Sequence, residues 1–224
     1  MSLISFQEAI EALTKRKLKI RINDNRQTML SVRWEPDCTN VSLHRMFLQA
    51  PRNVMEQLAC YIRGKHKVVS PTVKAFIEES LRKLDYSHTL KPGQISTQGN
   101  VHNLKKILDN VNQEYFHNQV DINITWYGKP RITSKTKITY GLYFEPQKLI
   151  KIHRFLDNVS VPDYVVSFVI YHEMLHHVCP TYVDEKGNHR SHDKTFKQKE
   201  KQFRHYQLAQ DWMDQYEHAY FGYK

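Results

Sequence analysis

The chain has 224 residues and a mass of 26.7 kDa, enough for one large domain or two small ones with a buried core. A hydrophobic fraction of 40%, a charged fraction of 25%, 8 Pro and 7 Gly exclude collagen-like and Gly-rich disordered chains. The formal charge of +10 permits contact with nucleic acid or an anionic surface without establishing it.

That charge is uneven. Residues 1–100 hold 16 Lys/Arg against 9 Asp/Glu, a net of +7, whereas residues 101–224 carry a net of +3. The basic clusters Arg63, Lys65, Lys67 and Lys129, Arg131, Lys135, Lys137 are the candidate nucleic-acid contacts, although no DNA- or RNA-binding signature accompanies them. The longest strongly apolar stretch, Tyr164 to Tyr171, is far short of the roughly 18–20 residues of a membrane-spanning helix. Gln7, Glu8 and Glu11 interrupt any secretory apolar core, so a cytoplasmic or otherwise intracellular protein is expected. Cys38, Cys60 and Cys179 form no C-x-x-C pair and read as buried free thiols rather than a disulfide framework or a zinc ribbon.

In chain order, Phe6, Ile10 and Leu13 recur at helical spacing, and Leu18, Ile20 and Ile22 then alternate with polar residues as in a half-buried strand. The turn-rich stretch 23–27 before the alternating TMLSVRW predicts a β-hairpin. Residues 41–85 read as helical, with two helices started near Pro51 and at Ser70-Pro71 and joined by the basic turn GKHKVV. Pro92, Gly93 and Gly99 mark residues 87–100 as a linker, which places a domain boundary near residue 95. Beyond it, Leu104, Ile107, Leu108, Val111 and Tyr115 share one helical face. Three strand-like runs follow, DINITWYG, KITYGLYF and KLIKIHRFL, and then an apolar helix begins near Pro162. Helix, strands and helix in this order give an α+β fold class.

The apolar helix contains His172-Glu173-Met174-Leu175-His176, an H-E-x-x-H motif. Residues i and i+4 share a helical face, so the two imidazoles can hold one metal ion while Glu173, about 100° round, reaches a water bound to it. Catalytic zinc needs three protein ligands, an open position for water and a carboxylate that accepts the water's proton. Residues 172–205 hold six of the 13 histidines, and His189, His192 and His205 all compete for the third position. The metzincin continuation is excluded because Cys179 and Tyr182 stand where Gly and His are required. A Glu ligand from a later helix would be Glu200, but it lies in a run of lysines that reads as solvated. The segment His192–Phe196 is the better candidate, since Ser191 or Asp193 can cap a new helix there.

With these residues in place, the chain resembles the SprT-like zinc metalloprotease family, which includes the Spartan proteases acting on DNA–protein crosslinks. The family pattern is a helix bearing N-x-x-Y-F, a tryptophan in the first strand, H-E-x-x-H, and a third His in H-G-x-x-F about fifteen residues on. Here Asn112, Tyr115 and Phe116, then Trp126, then His172, Glu173 and His176, then His192 and Phe196 match it over roughly residues 100–205. The resemblance implies a zincin-like core over 96–224 with a small mixed sheet on the H-E-x-x-H helix, leaving 1–95 as an N-terminal α/β extension. It implies Zn2+ on His172, His176 and His192, Glu173 as general base, and a protein or peptide substrate, on or near DNA. The chain departs from the pattern in that Asp193 replaces the Gly after the third His, and no cysteines supply the C-terminal zinc ribbon of the bacterial members.

Tyr182, His189, His205 and Tyr206 are candidate donors to a tetrahedral oxyanion. Two other readings compete. One is a nucleic-acid-binding or adaptor protein with a structural or vestigial metal site, and the other is a zinc hydrolase of non-peptide substrates. Nickel, cobalt and iron also accept imidazole ligands.

Overall fold

The computed structural model describes residues 2–25, 28–64, 68–134, 137–184, 186 and 188–222. Of the basic candidates, Lys65, Lys67 and Lys135 lie outside these residues. The chain is mixed α+β, with seven α-helices and small sheets of three, three and two strands among the described residues. It divides into two units, Met1–Lys83 with Tyr182–Arg190, and Leu84–Thr181 with Ser191–Lys224. No helix among the described residues is long and apolar enough to cross a membrane.

In the first unit, α1 (Leu3–Thr14) is N-capped by the Ser2 hydroxyl, which accepts the Ser5 N–H, and it buries Phe6, Ile10 and Thr14 at i, i+4 spacing. The strands are β1 (Leu18–Asn23), β2 (Leu30–Trp34) and β3 (Thr39–His44), in the order β1-β3-β2. The expected hairpin between β1 and β2 does not form. Instead β3 runs parallel to β1 and antiparallel to β2, and its buried Thr39, Val41, Leu43 and His44 explain its central place. Residues 41–44, expected to be helical, are therefore strand. The two expected helices are α2 (Arg52–Ile62) and α3 (Pro71–Lys83); Pro71 opens α3, and Ser70 Oγ accepts the Val73 N–H. A two-stranded ribbon, β7 (Tyr182–Val183) with β8 (His189–Arg190), packs on α3, where His189 Nδ1 lies 3.1 Å from Glu78.

The second unit is built on α4 (Leu104–Phe116), β4 (Asn123–Tyr127), β5 (Gly141–Phe144), β6 (Leu149–His153), α5 (Asp163–Val178), α6 (Lys194–Glu200) and α7 (Tyr206–Phe221). The sheet order is β4-β6-β5, with β4 parallel and β5 antiparallel to β6, so β5 is an edge strand. Ile124, Trp126, Ile150 and Ile152 form a buried sheet face that meets Leu104, Leu108 and Val111 of α4 and Val165, Val166, Val169 and Ile170 of α5. Helix α5 also packs against α6 and α7. A helix enclosed on so many sides must be apolar almost all round, as the sequence of α5 is.

Residues 87–100, expected to be a linker, are docked into this unit, and the boundary falls at residue 83 rather than near 95. The Tyr86 N–H donates to the Pro146 carbonyl (2.6 Å), and Ser96 exchanges bonds with β4 through Thr125 Oγ1 (2.9 Å) and the Trp126 N–H (2.9 Å). The Asp157 carboxylate accepts three successive backbone N–H groups, from Asn100 (2.7 Å), Val101 (2.9 Å) and His102 (3.1 Å). Gly99 allows this approach, since a Cβ there would lie 2.3 Å from Asp157 Oδ1. The three cysteines are half-buried free thiols, more accessible than expected.

Burial pushes the Asp157 carboxyl up, but the three N–H donors outweigh it and hold the group below the usual carboxylate range. Asp157→Ala should destabilise the protein by about 1–2 kcal/mol, because water can replace the carboxylate at the exposed Asn100 and Val101. A depressed folded pKa means that this stabilisation is full above the unfolded value of about 3.9 and fades as pH falls through the folded one. Denaturant melts of wild type and variant should therefore differ at neutral pH and converge in strong acid.

Candidate metal centre

Helix α5 places His172 and His176 one turn apart with ring centroids 5.1 Å from each other. His192 stands just before α6, and its ring lies 5.1 Å from His172 and 4.8 Å from His176. The turn that delivers it is fixed by Asp193, whose carboxylate caps α6 by accepting the Phe196 N–H (2.8 Å), so the Asp that follows His192 has a structural use. Phe196 is fully buried beneath the site, its ring 4.6–5.2 Å from all three imidazoles.

One nitrogen from each imidazole lies within 4.8 Å of the others, and His172 Nε2 is 3.2 Å from His192 Nε2. Tetrahedral zinc with Zn–N bonds near 2.0–2.1 Å requires ligand nitrogens about 3.3 Å apart, so this pair is already at ligating separation. Burial, reinforced by the neighbouring imidazoles, pulls His176 down to about 3 and lowers His192 as well. Both are thus neutral at physiological pH, the state in which imidazole binds a metal. The donor set, two imidazoles from α5 and one from the turn before α6, fits a divalent ion such as zinc.

Glu200, the solvated residue of the sequence reading, is in fact largely buried, and its Oε1 lies 2.7 Å from His172 Nδ1. A carboxylate there fixes the Nδ1–H tautomer of His172 and leaves Nε2 free to ligate. Its place is set by a group of aromatic side chains. Tyr171 donates to the Lys199 carbonyl (2.6 Å), Tyr115 accepts the Arg204 N–H (3.1 Å), and the two rings pack together with Phe203. Asn112 closes the turn between α4 and β4 by bonding both backbone groups of Val120, Phe116 packs on Tyr171, and Trp126 is core. These residues build the frame rather than the site.

Glu173 points the other way, towards β5. It is 6% exposed, and burial pushes its carboxyl up to about 7 against the pull of His172 and the Tyr143 backbone N–H. Gly141 makes the room, because a Cβ at that position would lie 2.7 Å from Glu173 Oε1. His177, beside the motif, accepts or donates at Nδ1 to the Tyr143 hydroxyl (2.6 Å) and so clips β5 to α5. A cleft of about 540 Å³ opens onto His172, Glu173, His176 and His192, with β5 along one side.

None of the four candidate oxyanion donors lines this cleft; Tyr140, Tyr143 and Gln210 do. Tyr182 and His189 belong to the ribbon of the first unit, His205 borders a separate hollow with Tyr164 and Arg204, and Tyr206 packs on Phe168. Among the basic candidates, Lys129, Arg131 and Lys137 are exposed on the loop between β4 and β5, and Lys137 reaches the cleft. Arg63 is in the first unit at the end of α2, beside Cys60. No family model, curated protein or solved structure matches the chain.

Two substitutions test the geometry. Glu200→Ala should weaken zinc binding about 10- to 100-fold in a chelator competition, with the fold retained. Gly141→Ala should displace the Glu173 side chain and leave zinc affinity within a few-fold of wild type, because the ligands sit on the other side of α5.

Proposed function

We propose that the protein is a zinc-dependent peptidase of the SprT-like kind, with a zincin-like core formed by the second unit. The observation that carries this reading is the buried Glu173 carboxylate beside a three-imidazole cluster in an open cleft. His172, His176 and His192 would hold the ion, which when bound supplies a Lewis acid and lowers the pKa of a coordinated water towards about 7.

The protein's own groups do the remaining work. Glu173 accepts the proton of the attacking water and then delivers it to the leaving amine, as a general base and general acid in turn. Glu200 orients His172. The free edge of β5 offers backbone groups along which an extended peptide can add as a further strand, bringing its carbonyl beside the imidazoles. Exposed Lys129, Arg131 and Lys137 on the loop that leads into β5, with Lys137 lining the cleft, support a polyanion such as DNA as a partner. The adaptor reading with a structural metal accounts less well for Glu173, since a structural site has no use for a carboxylate kept in place by the glycine opposite it.

Glu173→Gln should keep one equivalent of metal and lower cleavage of an unfolded protein by about 100- to 10,000-fold. His192→Ala should lose both metal and activity. Wild-type rates in the Gln variant, or zinc retained at normal affinity in the Ala variant, would overturn the assignment of these residues.

A further inference from the structure

A second hollow of about 440 Å³ lies on the opposite face of the β4-β6-β5 sheet from α5. Tyr127 and His153, neighbours in register on β4 and β6, form its floor, with their rings edge to face at 5.0 Å. Phe155 continues the floor, its ring 5.1 Å from that of His153. The Tyr127 hydroxyl donates to the Thr139 carbonyl (3.1 Å), which ties the loop between β4 and β5 across the hollow. Lys137, Ile138, Thr139 and Leu142 line both this hollow and the catalytic cleft, so the two share one wall.

The alternation of β5 explains why both hollows serve one substrate. Gly141 and Tyr143 face α5, where they meet Glu173 and His177, while Leu142 points to the other face and is 39% exposed. A chain added along the free edge of β5 alternates in the same way. Its side chains fall by turns towards Glu173 and towards Leu142, at the mouth of the second hollow. The floor consists of ring edges and faces, no carboxylate lies among the described residues that line it, and Thr133 and Thr139 are part of its wall.

We propose that this hollow is a specificity subsite that takes a large aromatic side chain, of Phe or Tyr, from the substrate chain paired with β5. The assignment rests on the peptidase reading for the substrate's path, but it can be tested by binding alone.

The test uses the full chain carrying Glu173→Gln, with fluorescently labelled peptides that differ only by Phe or Ala at one position, read by polarisation. The Phe peptide should bind about 10- to 100-fold more tightly than its Ala counterpart. Thr133→Trp, which fills the hollow from its wall, should abolish that preference and leave the affinity of the Ala peptide unchanged. Should Thr133→Trp fold poorly by circular dichroism, Leu142→Ala, which removes the shared wall, should reduce the preference several-fold. Equal binding of the two peptides, or a preference that survives in a folded variant, overturns the subsite. Cleavage of an unfolded protein by zinc-loaded wild type separates the two ideas. Cleavage without aromatic preference sinks the subsite alone, whereas a preference that Thr133→Trp removes, in a protein that cleaves nothing, supports the hollow and sinks the peptidase reading.

Discussion

The burial of α5 is the constraint on which the rest of the second unit depends. The helix is enclosed by the sheet, α4, α6 and α7, and nine of its sixteen residues are buried. An apolar helix packed on several sides has no freedom to rotate, because turning it would move Val165, Val169 or Ile170 out of the core and set polar groups in their place. The polar groups it does carry are thereby aimed: His172 and His176 towards α6, and Glu173 towards β5. The same enclosure tunes them. Desolvation disfavours the charged form of either sign, so it drives His176 down and Glu173 up at once. One packing arrangement gives both a neutral imidazole and a more basic carboxyl.

The surrounding elements act by fixing what α5 alone leaves loose. On one side, Tyr171 and Tyr115 bond the backbone at Lys199 and Arg204, which brackets Glu200 and sets its carboxylate against His172. On the other side, the bond between Tyr143 and His177 holds β5 at a fixed distance from the helix, and Gly141 then accepts Glu173 without a clash. Phe196 fills the space beneath the imidazoles, so the rings cannot collapse inwards. The supports are packed rings, hydrogen bonds and, at Gly141, the lack of a side chain, and together they give the geometric precision a site requires.

How much of this could be read from the sequence depended on whether the signal was local. The H-E-x-x-H pair and the capping of α6 are set within a few residues: the two imidazoles share a helical face, and of the two expected caps, Ser191 and Asp193, it is Asp193 that forms. The core positions of α4 and α5 follow from helical periodicity and were equally legible. The central place of β3 was not, because sheet order depends on which strand can bury both faces, a property of pairing rather than of any one segment. Glu200 was missed for a different reason. Lysines 197, 199 and 201 made the run look solvated, yet residues 196, 200 and 203 recur at helical spacing, and Phe196 and Phe203 are both buried. Read against that stripe, Glu200 lies on the inner face. The docking of residues 87–100 was likewise hidden, since Pro and Gly mark a break in regular structure and say nothing about whether the segment packs against something.

The division of labour across β5 follows from the same geometry. On its inner face the strand has to leave space for Glu173, and Gly141 is the residue that does so; any side chain there would displace the carboxylate. Tyr143, the next inner residue, is committed to His177. The inner face is therefore occupied by the Glu173 side chain and by the clip to α5. Leu142 is the nearest position on the strand whose side chain is free of both duties, and it stands between the cleft and the second hollow. Because alternate side chains of a strand face opposite ways, a change at Leu142 can reshape the wall between the cleft and the second hollow without moving Gly141 or Tyr143. A sheet edge beside the imidazole cluster thus separates the position that accommodates Glu173 from the one that borders the second hollow by a single residue step.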